Sequence, residues 1–309
     1  MIPQCSIIHP ETVLSMIHEW GSASPQRGVL LTCLSRRHLY ARLKALKALQ
    51  TDNDETLTVG RSYWRQMEDD LREARPDLLA VTEQYMAHCL RMDPNVHHGW
   101  RQYAEKPFEL SLRDLMHEVD VATWTMHMFF YQLFGKHPSY LRQLAKMVQL
   151  RTGSKELLEA FKIHRITTSG YADIVRHVCC INGIDPYDIA GFELFTEPAV
   201  DGGRIIGIQP GTMLTGHLKE ASTLAFLGVH DLEQRQLLGT GDSYWDFPMM
   251  TEEGIGILVV DPDRLSTPLV QVTLEHLKNE WGKRVHCVLF ARDYHGFLEL
   301  LYRAHTQQP

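Results

Sequence analysis

Between residues 107 and 186 the chain carries two Gly-x-x-Pro signals, Gly135-Lys136-His137-Pro138 and Gly183-Ile184-Asp185-Pro186. A glycine that stops one helix and a proline that opens the next element fix where helices can end, so this spacing favours paired short helices. In the first unit Ser111 is placed to cap a helix burying Leu112, Leu115 and Val119, and Thr123 opens a second helix ending near Phe134. In the second unit ELLEAFKI leads to a turn at His164–Thr167 and then a helix over SGYADIVRHVCC. Two such units in tandem read as helix-turn-helix modules.

A chain of 309 residues has room for two or three domains, and 44% apolar with 22% charged residues is ordinary globular composition. No run approaches the ~18 apolar residues of a membrane span, and the amino terminus lacks a basic-then-apolar secretory pattern, so the expected compartment is the cytoplasm. Six cysteines at 5, 33, 89, 179, 180 and 287 are too scattered for a disulfide framework. The net charge of −7 excludes bulk polyanion binding, but two basic islands remain. Residues 26–50 hold six Lys or Arg and no acid, and residues 136–176 hold eight against three acids. Such islands suit local phosphate contact.

The expected fold is mainly α in the amino-terminal and central regions, followed by a smaller α/β carboxyl-terminal domain. The expected units are a helical domain with a basic helix at 1–106, a tandem helix-turn-helix-like region at 107–190 and an α/β domain at 191–309. TDNDE, at the start of zone 51–106, reads as a polar connection. In the last zone Asp201-Gly202-Gly203 marks a hairpin, and GIGILVVD, LVQVTLEHLKNEW, RVHCVLFA and YHGFLELLYRAH give strand–helix–strand–helix, a parallel βαβ signature.

The central segment resembles the arabinose-regulator (AraC/XylS) family of bacterial transcription factors. Leu112, Leu115, Val119, Val121, Met126, Phe130, Gly135 and Pro138 fall at matching positions in the first unit, and Arg176, Val178, Gly183 and Pro186 in the second. The resemblance covers roughly residues 107–190. It implies a DNA-binding transcription regulator whose groove-facing positions are Thr123, Trp124 and His127 in one recognition helix and Ser169, Tyr171 and Arg176 in the other. LSRRHLYARLKAL adds a third candidate recognition helix, with Ser35 as its cap and Arg36, Arg37, Tyr40, Arg42 and Lys44 offering donors to phosphates and guanine edges. On this reading the partner is DNA, and residues 191–309 bind a protein partner or a small-molecule effector. Neither cofactor nor metal is expected, and a homo-oligomer stays open.

Two alternatives stand beside it. Asp261, Asp263, Arg292, Asp293 and His295 follow the two apolar strands, and groups at carboxyl ends of neighbouring parallel strands converge on one crevice. They could hold a metal, a phosphorylated ligand or an acid/base pair, making the chain an enzyme, or merely cap the helices that follow. The third reading is a helical adaptor that binds no DNA, since Thr123, Trp124 and His127 bring no permanent cation. Neither a P-loop nor GxGxxG, GxSxG or HExxH is present.

Overall fold

The computed structural model describes residues 10–21, 28–59, 63–77, 130, 132–198, 202–209, 214 and 216–306. Helix α1 (Pro10–Gly21), strand β1 (Val29–Thr32) and helix α2 (Arg36–Ala45) lead into β2 (Ala48–Asp52). An irregular turn at Asn53–Leu57 follows, then β3 (Thr58–Val59), α3 (Tyr63–Ala74), α4 (Ser139–Ala145), β4 (Gln149–Leu150) and α5 (Ser154–Glu159). The second half continues through β5 (Ile163–Tyr171), α6 (Ala172–Ile181), β6 (Asp188–Phe192), β7 (Leu194–Thr196), β8 (Ile205–Ile208), α7 (Gly216–Val229) and β9 (Leu237–Gly241). It ends with β10 (Ile255–Val260), α8 (Pro268–Glu280), β11 (Cys287–Phe290) and α9 (His295–Thr306).

Seven of these strands form one sheet in the order β1-β11-β10-β9-β2-β5-β6. Only β1 is antiparallel to its neighbour; every other pairing is parallel. Strands drawn from each of the segments 1–106, 107–190 and 191–309 therefore share hydrogen bonds. The fold is α/β and Rossmann-like, and the expectation of a mainly helical protein with a small α/β appendage is overturned.

The error has a physical cause. A strand covered on both faces has no polar side to mark its period. In β5, His164, Ile166, Thr167, Thr168, Gly170 and Tyr171 are all buried, so IHRITTSGY imitates a turn entering a helix. The helix begins only at Ala172, and Gly183, at φ +62°, stops it before the chain returns as β6. The second Gly-x-x-Pro thus marks the end of a crossover helix in a β5–α6–β6 unit. The first is a true stop and start: Gly135 has φ +74° and α4 begins directly after Pro138.

Two layers of apolar contacts cover the sheet. Cys287, Leu289 and Ala291 join one layer with Leu39, Leu43, Val175, Phe297 and Leu301, whereas Val288 and Phe290 join the other with Val13, Ile17, Val270 and Leu274. That alternation along one strand is the two-residue period of β structure, buried on both sides. A third cluster, with Tyr63, Met67, Leu133, Leu141, Ile174 and Phe192, holds the segment inserted between β2 and β5 against α6 and β6. The Asp201-Gly202-Gly203 signal does lie between two paired strands, β7 and β8. No helix among the described residues is long and apolar enough to cross a membrane.

Candidate active site

The carboxyl ends of β2 and β9 lie side by side at the centre of the sheet, and each carries an aspartate. Asp52 ends β2, and Asp54 follows it in the turn. β9 ends in Gly241, followed by Asp242 and, four residues on, Asp246. Polar cross-strand bonds secure β2 on both sides: Thr240 on β9 donates its hydroxyl to that of Thr51 at 2.8 Å, and Gln50 donates to Thr167 on β5 at 2.9 Å.

The turn after β2 is pinned from below by Arg151, which is 1% exposed. Its guanidinium donates to the carbonyls of Thr56 (3.0 Å), Glu55 (2.8 Å) and Ala291 (2.9 Å). Glu55 sits at φ +58°, a conformation that non-glycine residues hold only where surrounding bonds determine it. Thr58 supplies one such bond, accepting from Glu55 N and donating to the Asn53 carbonyl.

On the β9 side, Gly241 is obligatory: a Cβ there would lie 2.2 Å from that of Asp246. The close approach lets Asp246 Oδ2 accept from the backbone N–H groups of Asp242 and Ser243, both at 3.1 Å, and from the Ser243 hydroxyl at 3.0 Å. Its other oxygen faces Lys219 on α7. The Lys219 ammonium donates to Asp246 at 2.5 Å and to Asp52 at 2.9 Å, with 2% of the side chain exposed. Burial alone would lower its pKa, but Asp246 and Asp52 outweigh that and hold it above the ordinary lysine value.

Too much negative charge converges here for the cations present. Burial, then the charge of Asp246, pushes Asp52 well above the usual carboxylate range. Asp242 rises to about 7 for the same two reasons, against the pull of Arg264 at 2.9 Å. Asp54 is raised to about 6 by burial, although Trp64 and Thr168 donate hydrogen bonds that favour its ionised form. One oxygen from each of Asp52, Asp242 and Asp246 lies within 4.8 Å of the others. An all-oxygen donor set with mutual repulsion fits a hard divalent cation such as Mg²⁺, which would relieve the charge.

The residues singled out from the sequence lie elsewhere. Thr123, Trp124 and His127 fall outside the described residues. On α2, Arg36 packs over the Tyr40 ring at 5.6 Å, and Arg37 and Lys44 are exposed. Arg42 turns inward, donating to the Glu252 and Gly254 carbonyls beside His286. Ser169 donates to the Leu214 carbonyl, Tyr171 is fully buried, and Arg176 pairs with Asp173 and Glu193. The central basic island is thus largely engaged within the fold, Arg151 and Arg165 included.

The strand-end set lies along the same edge of the sheet, at the ends of the neighbouring strands β10 and β11. Asp263 and Arg292 form an exposed pair at 2.7 Å, and Asp293 caps the His295 N–H. Asp261 caps Asp263 N and approaches Arg151 at 3.4 Å, so it reaches the site only through the clamp under the turn. Sequence reasoning missed Asp52, Asp54, Lys219, Asp242 and Asp246. The available signal was an aspartate directly after each of two short strand-like runs, ALQT and LLGTG.

No protein-family model matches the sequence, and no curated protein matches it. Solved structures do match in shape. Cytosolic 5′-nucleotidase IIIB bound to cytidine superposes with a TM-score of 0.60 at 13% identity, over 94% of this chain and 98% of that one. A phosphoserine phosphatase, solved as an analogue of its phospho-aspartyl intermediate, gives a TM-score of 0.51 at 12% identity, over 82% and 98%. A HAD-family hydrolase from Salmonella enterica serovar Typhi gives 0.49 at 13% identity; this chain spans 64% of its length. The likeness to arabinose-type regulators, and with it the reading as a DNA-binding transcription regulator with DNA as partner, is overturned. The chain has a Rossmann-like α/β fold, similar in shape to that of the nucleotidase and phosphatase structures.

Proposed function

We propose that this chain is a metal-dependent phosphohydrolase acting on a small phosphomonoester. One observation carries the reading: Asp52 and Asp54 stand two residues apart at the end of β2, beside the middle strand of the sheet, with the buried Lys219 ammonium bonded to Asp52 and Asp246. The nucleotidase and phosphatase folds support it.

The chemistry follows from the two carboxyl groups. Asp52 attacks phosphorus as a carboxylate, and the bond from phosphorus to the ester oxygen breaks. Asp54, raised to about 6, still holds a proton in part of the population near neutrality and gives it to the departing oxygen. The resulting Asp54 carboxylate then takes a proton from water, whose oxygen attacks the same phosphorus and releases phosphate and Asp52. Lys219 keeps the Asp52 carboxylate oriented throughout. Asp52, Asp242 and Asp246 would hold Mg²⁺, which neutralises phosphoryl charge when bound. Cys33, Cys179 and Cys180 stand outside any disulfide, which supports placement in the reducing cytoplasm.

Phosphate release from a panel of phosphomonoesters, nucleotides included, is measured with Mg²⁺ and with chelator. Release that needs Mg²⁺ and vanishes in Asp52→Asn is expected. Absence of release from the whole panel, or an Asp52→Asn variant as active as wild type, rejects the reading.

A further inference from the structure

Among the described residues, Asp54 accepts one hydrogen bond from outside the sheet and its turns. Trp64, in the first turn of α3, donates its indole N–H to Asp54 Oδ2 at 3.3 Å. That oxygen also accepts from the Thr168 hydroxyl on β5 at 3.2 Å, while Asn53 donates to Oδ1 at 3.2 Å. The indole is tightly placed. Its ring lies 4.8 Å from that of Tyr63 and 5.8 Å from that of Tyr171, centroid to centroid. Gly170 makes room for it: a Cβ there would come 2.8 Å from Trp64 Cζ2 and 1.7 Å from the Tyr63 hydroxyl oxygen. The Gly170 N–H in turn donates to Thr168 at 2.8 Å, so both donors to Oδ2 are fixed by one bend of β5.

We propose that Trp64 is a positioning residue for proton transfer, its indole N–H holding the Asp54 carboxyl in the rotamer that faces the leaving oxygen. The inference rests on the phosphohydrolase reading and deepens it. A carboxyl with one carbon between backbone and head group turns about two bonds. Thr168 restrains it from the β5 side, and Asn53 reaches the other oxygen. Without the indole, Oδ2 keeps a single donor and the head group gains freedom about its second bond. Trp64 belongs to the segment inserted between β2 and β5. The acid is therefore aligned by a part of the chain that supplies none of the cation-holding carboxylates.

The test is the leaving-group dependence of kcat/KM, which reports steps up to departure of the first product. An alkyl phosphate needs its leaving oxygen protonated, whereas 4-nitrophenyl phosphate leaves with far less help. Trp64→Phe keeps an aromatic ring against Tyr63 and Tyr171 and removes the donor. Its kcat/KM on the alkyl ester is expected to fall roughly tenfold further than on 4-nitrophenyl phosphate. In an Asp54→Asn background the same substitution adds little further loss. Trp64→His, which retains a ring N–H, recovers part of the difference and serves if the Phe variant fails to fold. Equal losses on the two esters, or full additivity with Asp54→Asn, would overturn the proposal while leaving the phosphohydrolase reading intact. Wild-type protein inactive with Mg²⁺ on both esters and on the whole phosphomonoester panel overturns that reading and the proposal together.

Discussion

Lys219 and Asp246 are 27 residues apart in sequence and 2.5 Å apart in space, joined by a bond almost sealed from water. With Asp52 on its other side, this lysine is the nearest compensation for two buried carboxylates. A buried ion cluster adds little net stability, yet removing one partner strands the rest. Lys219→Met is expected to cost roughly 3–5 kcal/mol in chemical unfolding and to abolish phosphate release. Adding Asp52→Asn to it recovers part of the stability without recovering activity. If Lys219→Met unfolds at the wild-type midpoint, the cluster is not as buried as described.

Stability should also report the crowded carboxylates. Asp242, raised to about 7 by burial and by Asp246, still binds protons in the folded chain at a pH where the unfolded chain binds none. As pH rises through 7 those protons are lost, and the metal-free fold weakens by about 1 kcal/mol between pH 6.5 and 8. Below that window His286, lowered to about 4 by burial and Arg42, acts with the opposite sign, since acid favours its unfolded form. Thermal melts in chelator from pH 6.5 to 8 check the slope. Saturating Mg²⁺ should flatten it, because the cation replaces the proton. A metal-free melting temperature rising across this window contradicts the placement of Asp242.

Gly241 is the narrowest point of the site. Gly241→Ala sets a methyl group 2.2 Å from Asp246 Cβ, on a backbone fixed by pairing to β10. A loss of about 2–3 kcal/mol is expected, together with weaker Mg²⁺ binding as Asp246 is displaced. Calorimetric titration with Mg²⁺ on the folded variant separates the two effects; wild-type affinity would show that Asp246 holds no cation.

Arg151 lies beneath the chemistry. Arg151→Met leaves the buried carbonyls of Glu55, Thr56 and Ala291 short of a donor and Asp261 without its cation. The cost should be roughly 3 kcal/mol or more in urea unfolding. Activity should fall even at temperatures where the variant is folded, because Glu55 is then free to leave its φ of +58°. A variant that loses stability but keeps full activity would limit Arg151 to a scaffold role.

Legibility in the sequence followed burial. The strongly apolar strands β10 and β11, and the Ser35-capped helix α2, were readable because hydrophobicity and capping chemistry mark them directly. β2 was not, because Gln50, Thr51 and Asp52 fill a fully buried strand with polar side chains that hydrogen-bond to neighbouring elements. β5 failed for the same reason, its threonines serving Gln50 and Asp54. The candidate site residues were invisible as a group, since Asp52 and Lys219 meet across 167 residues of sequence. What could be read was the edge of the sheet where chemistry belongs. Asp261 and Asp293 stand at that edge one and two strands beyond Asp242, where each accepts from the backbone N–H two residues on and caps the turn that follows.

The position of β9 has a consequence for biosynthesis. It is the only strand that joins β2, β5 and β6 to β10, β11 and β1 in the seven-stranded sheet, and the bond from Thr240 to Thr51 spans 189 residues. During synthesis β2 can pair with β5 early, but its other edge stays open until residues 237–241 leave the ribosome. Parallel pairings over such separations form slowly and leave strand edges exposed meanwhile. A nascent chain stalled before β9 would carry Asp52 and Asp54 on an open edge, with neither Asp242 nor Asp246 beside them. The carboxylate cluster is therefore completed late in translation, with the strand that closes the sheet.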